Sequence, residues 1–137
     1  MRDINSNLHL ARAISPVSVA DNTAQVSQVF DTRGYDAVML AIAAGSIADA
    51  DATFTLLFED SDDNVTYAAV SDDYLNGLES QGSFQFDDDN EPRKIGYAGI
   101  KRYVRATITP AGNASAALLS ALWIARPLRA PASAVPA

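Results

Sequence analysis

Residues 116–125 read AALLSALWIA, and whether this run is a helix or a strand decides the fold. Alanine and leucine are good helix formers. Yet the run is about ten residues long and is bracketed by turn signals, PAGN (110–113) before it and RP (126–127) after it. That length and punctuation predict a strand buried from both sides. YDAVMLAIAA (35–44) poses the same question between TRG and AGS. There Val38, Leu40 and Ile42 share one face, and Ala37, Met39, Ala41 and Ala43 the other. Both runs predict strands.

Cleaner alternation surrounds them. ATFTLLFE (52–59) sets Phe54, Leu56 and Phe58 against Thr53, Thr55 and Leu57. RYVRATIT (102–109) turns Val104, Ala106 and Ile108 inward and Tyr103, Arg105, Thr107 and Thr109 outward. Weaker strands fit 14–20, 24–31, 65–70 and 93–99, with Pro16 suited to a strand edge because it cannot donate to a ladder. SDDYLNG (71–77) predicts one helical turn capped by Ser71, and 77–92 a long surface loop with a short strand at SFQF. The first dozen residues and the Ala/Pro-rich end read as arms. The expectation is all-β: a jelly-roll type β-sandwich of about eight strands at 13–126, with an N-terminal arm (1–12) and an extended C-terminal tail (127–137).

Composition narrows the chemistry. The chain has no cysteine, which excludes a disulfide framework, a thiolate metal site and a cysteine nucleophile. A lone histidine, His9, leaves no triad and no multi-histidine centre. No signal segment opens the sequence, and its longest apolar run is too short for a membrane helix, so the expectation is a product of the cytoplasm with no membrane partner. DSDDN (60–64) begins like a calcium loop but has Val65 where glycine is needed and Ser71 where the bidentate glutamate belongs. The acidic turns are therefore read as aspartates bonding to their own backbone. Gly96 and Gly99 in GYAG predict a bulge or a close backbone approach. No catalytic constellation assembles, so neither enzymatic activity nor a cofactor is expected.

Charge is unevenly divided: residues 1–90 sum to −13 and residues 91–137 to +6. A nucleic-acid partner is not expected, because the cations fall on strands and the acidic half repels phosphate. Lys101, Tyr103 and Arg105 are predicted to line one strand face, either as a docking stripe or paired with acids on a neighbouring strand. Strands apolar on both sides need cover on both, and the second face is expected against another subunit. The interface candidates are Lys101, Tyr103, Arg105, Arg126, Met39 and Trp123, the last as a core or interface anchor.

FEDSDDNVTYAAVSDDYLNG (58–77), KIGYAGIKRYVRATITPAGNAS (94–115) and the strand ending in ARP (125–127) together resemble the capsid decoration, or cement, proteins of tailed phages, over roughly residues 35–127. The resemblance implies a virion jelly roll on the outer surface of an HK97-type shell, clamping neighbouring capsomers. It would bind the major capsid protein and itself, as a homotrimer in preference to a homodimer. The alternative is a carbohydrate- or receptor-binding β-sandwich of a phage tail, which would need a platform built from Tyr67, Tyr74 and Tyr97. For the cement reading, Lys101→Glu with Arg105→Glu is expected to weaken shell attachment while the fold survives.

Overall fold

The computed structural model describes residues 3–128. In chain order its strands are β1 (His9–Val19), β2 (Gln25–Val26), β3 (Phe30–Asp31), β4 (Tyr35–Ile47), β5 (Thr53–Ser61), β6 (Ala68–Ala69), β7 (Leu75–Asn76), β8 (Phe84–Gln85), β9 (Pro92–Tyr97), β10 (Tyr103–Ala111) and β11 (Ala117–Pro127). The two doubtful runs are β4 and β11, and they pair with each other.

All pairings are antiparallel, and the strands form two sheets. The first has the order β1-β11-β4-β9-β7; the second centres on β10 and β5, with β2 and β3 beside β10 and β6 and β8 beside β5. With the short pieces merged into eight principal strands, the sheets run first–eighth–third–sixth and second–seventh–fourth–fifth. That is the jelly-roll order.

The core lies between the sheets, as the alternation predicts. Val38, Leu40 and Ile42 of β4 and Leu119, Ala121 and Trp123 of β11 are buried against Phe54, Leu56 and Phe58 of β5 and Val104, Ala106 and Ile108 of β10. Trp123 meets Phe58 edge-on at 6.0 Å and Phe30 at 5.9 Å. Its indole N–H donates to the Gln28 carbonyl at 3.0 Å, so its polar edge is satisfied inside the fold.

Several boundaries move. The N-terminal arm ends at residue 8, because His9–Arg12 pair with Leu122–Ala125 and extend β1 along β11. The domain also runs to the end of β11 at Pro127; of the proposed tail, residues 129–137 lie outside the described residues. The strand predicted at 24–31 is divided into β2 and β3 by Ser27, whose Oγ accepts the Ala106 N–H and whose own N–H donates to the Ala106 carbonyl. The strand predicted at 65–70 shrinks to β6. Pro16 does sit on an edge strand, at the register shift between Ile14 and Val17. Ser71 caps a 3-10 turn at Asp72–Tyr74, accepting the Asp73 N–H.

The predicted loop at 77–92 contains a helix, α1 (Glu79–Gly82), too short to show a period in sequence. It completes the outer edge of β5. There β8 pairs with Thr53–Phe54, Ser83 Oγ accepts the Leu56 N–H, the Glu79 carboxylate accepts the Phe58 N–H, and β6 pairs with Glu59–Asp60. Backbone groups left without such partners would be costly, and an open edge would recruit other chains.

Candidate interaction surface

Cross-strand partners share a face, so the pairing registers map the outer surface of the first sheet. One row reads Leu10, Ile124, Met39, Gly96; the next reads Arg12, Leu122, Ala41, Lys94; a third reads Ser120, Ala43, Pro92. Leu118 lies close against Gly45, where an added Cβ would stand 3.0 Å from the leucine Cβ. Leu10 is 59% exposed, Leu118 46% and Leu122 43%, while Met39 and Ile124 are half-buried. Shallow depressions of 400 to 430 Å³ run along this face. The surface is therefore broad, apolar and uncovered by its own chain.

Its charges are all positive except one. Arg12 and Lys94 flank the central row and make no salt bridge among the described residues. Arg126, at one end, is held by two bonds to Asp36 at 2.9 and 3.0 Å. Those bonds hold the Asp36 carboxyl below its ordinary pKa. Of the residues nominated from sequence, Met39 and Arg126 lie on this face.

The other nominees lie elsewhere. Arg105 donates to Glu59 at 3.1 Å and its guanidinium stacks 4.0 Å over the Tyr67 ring. The neighbouring Arg102 makes two bonds to Asp31 and covers the Tyr103 ring at 4.9 Å. Lys101 does not share the Tyr103–Arg105 face. It precedes β10, and its ammonium lies 3.8 Å from Asp60, which pairs across the ladder with core residue Val104. Of the two readings of the basic stripe, pairing within the chain is the one the geometry displays. Trp123 leaves the interface set altogether: it is fully buried, with its rings and its N–H occupied in the core.

Asp60 organises one end of the sandwich. Buried, it accepts the Tyr97 hydroxyl at 2.7 Å, and that hydroxyl accepts the Lys101 N–H at 3.3 Å. Burial first, then the bond to Asp60, pushes the Tyr97 pKa far up. Gly99 lies so near that an added Cβ would be 2.3 Å from the tyrosine oxygen. The GYAG motif is a close approach, as expected. With Tyr97 buried and Tyr67 beneath Arg105, Tyr74 alone of the three proposed platform residues is largely exposed.

The acidic turns bond to the backbone as predicted. Asp63 accepts the N–H groups of Thr66 and Val65 and the Ser61 hydroxyl, which together hold its carboxyl down to about 2, the Thr66 bond contributing most. Asp49 accepts from Asp51 and Ala114. Among the described residues no three His, Cys, Asp or Glu side chains gather as metal ligands would.

Sequence reasoning missed Leu10 and Arg12 by assigning them to an arm. The signal was there: in HLARA, Leu10 and Arg12 alternate with Ala11 and Ala13, the period of a strand.

No protein-family profile matches the chain, and no curated protein matches its sequence. Among solved structures the fold is similar to that of the PBSX exported protein XepA, with a TM-score of 0.58 and 11% identity over 94% of this chain. The chain spans 40% of that protein's length. It is less similar to the xylan-binding CBM22-1 domain of Paenibacillus barcinonensis Xyn10C, with a TM-score of 0.47 and 12% identity over 90% of this chain and 87% of the other. The first likeness is one of fold, and the second is too distant to bear on function. No helix among the described residues is long and apolar enough to cross a membrane.

Proposed function

We propose that this is a structural virion protein that attaches to the outer surface of a phage capsid and stabilises contacts between capsomers. The observation that carries the reading is the uncovered apolar face of the first sheet, flanked by the unpaired Arg12 and Lys94. A surface of that kind is a docking surface. The jelly-roll order agrees with the reading, as does the sequence resemblance to tailed-phage cement proteins, in particular the head cement protein of the short-tailed Bordetella phage BPP-1. The partners are the major capsid protein and further copies of this chain, in a homotrimer rather than a homodimer, since shells offer many local threefold positions. Individually weak contacts suffice, because a symmetric lattice multiplies them.

The test is co-sedimentation with HK97-type heads that lack the protein. Pelleting with the heads, together with greater resistance of the decorated heads to heat, is the expected result. A protein that stays in the supernatant at micromolar concentration, and instead binds a glycan array, would replace this reading with the carbohydrate-binding one.

A further inference from the structure

The apolar face must meet something, and the chain carries a surface complementary to it. At one end of the sandwich the loops hold Asp21, Asp49, Asp51 and the acidic run 87–91, seven carboxylates in all, with Arg93 the nearby cation. At this end Phe86 is 40% exposed and is followed directly by Asp87, one oxygen of which accepts from the Gln85 side chain at 3.0 Å and the other of which is left to a partner. The tip is pre-set: the Phe86 N–H donates to the Ala52 carbonyl, and the Asp88 N–H closes a turn on the Gln85 carbonyl. On the face, a depression of about 400 Å³ lies among Met39, Ala41, Leu122 and Pro92, with Lys94 at its rim. An aromatic side chain followed by a carboxylate matches an apolar hollow edged by an ammonium.

The competing ways for two copies to meet are each opposed by a feature of the fold. Face-to-face packing about a twofold axis would bring Arg12 and Lys94 of both copies into one rim. The acids nearest that rim are already engaged, Asp36 with Arg126, and Asp88 and Glu91 with Arg93. Edge-to-edge pairing is blocked on β1 by Pro16 and two register shifts, and the remaining edge strands are two residues long.

We propose that copies of this chain associate head to tail, the Phe86–Asp87 tip of one copy seated in the Met39–Leu122–Lys94 depression of the next. This rests on the self-associating, structural reading above and specifies its partner surface. Such a contact uses two different patches, so a rotation that closes gives a ring.

The test uses the full chain in three forms: unaltered, a face variant (Arg12→Glu with Lys94→Glu) and a tip variant (Phe86→Ala with Asp87→Ala). All four substituted residues are exposed loop or strand positions, and thermal unfolding verifies that each variant folds. Light scattering is expected to give a closed multiple of 14.5 kDa for the unaltered chain and 14.5 kDa for each variant alone. Mixed one to one, the variants should form a species of twice the single-chain mass and nothing larger, because each retains the half the other lost. A tip variant that still associates like the unaltered chain would overturn the proposal in favour of face-to-face packing. An unaltered chain that stays monomeric would overturn it as well. Co-sedimentation of that same monomer with heads then reports separately on whether the capsid reading survives. If the face variant fails to fold, Phe86→Ala alone decides, since Phe86 is an exposed residue outside the buried core cluster.

Discussion

At the scale of single residues, Lys101 shows how far a period can be trusted. Extending the β10 alternation backward by one step placed it beside Tyr103 and Arg105, but the strand starts at Tyr103 and the chain before it turns toward Asp60. The contact with Asp60 bears on the expectation that Lys101→Glu with Arg105→Glu leaves folding intact. A carboxylate there would face buried Asp60, and the variant is expected to unfold at lower urea concentration than the unaltered protein. Arg105→Glu sets a second carboxylate directly across the ladder from Glu59 and removes the guanidinium over Tyr67, so it should lower stability in urea by about 1–2 kcal/mol while leaving head co-sedimentation of the folded protein nearly unchanged. Gly99→Ala should cost about 1–3 kcal/mol in urea unfolding, because the new methyl meets a tyrosine oxygen fixed by Asp60. Asp63 supplies a pH prediction. Its carboxyl titrates near 2 when folded, against an ordinary 3.8, so its stabilising bonds are complete above the ordinary value and are lost as pH falls through about 2. Carboxyl-carbon NMR should show that low midpoint; a midpoint near 4 would mean the turn does not hold the carboxylate.

At the scale of elements, the long strands were legible and the short ones were not. β4 and β11 announce themselves by length and by the turns that bracket them, and β5 and β10 by strict alternation. Two-residue strands have no period to detect. Their positions follow from polar side chains that complete the backbone of a longer neighbour: Ser27 against Ala106, Ser83 against Leu56, Glu79 against Phe58. A single sequence does not reveal such partners, since they are separated by 21 to 79 residues. Replacing Glu79 and Ser83 together by alanine leaves two N–H groups of β5 without acceptors, at about 1–3 kcal/mol each. Hydrogen exchange should quicken at Leu56 and Phe58 first, ahead of the paired residues of β10.

At the scale of the whole molecule, the division of charge along the chain is largely undone by the topology. β10 lies beside β5 and β11 beside β4, so cations from the second half meet acids from the first: Arg105 with Glu59, Lys101 with Asp60, Arg126 with Asp36. Among the described residues Arg12 and Lys94 on the apolar face and Arg33 make no salt bridge, while unpaired carboxylates remain in the turns at both ends of the sandwich, a pattern that no count along the sequence exposes. The single tryptophan sits on the opposite side of the same sheet from that face, sealed between the layers. Its fluorescence therefore follows the parting of the sheets and is blind to the meeting of copies. Scattered light reports assembly and emitted light reports folding, so a single sample carries two independent gauges, and the loss of a shell contact need never be mistaken for the loss of the fold.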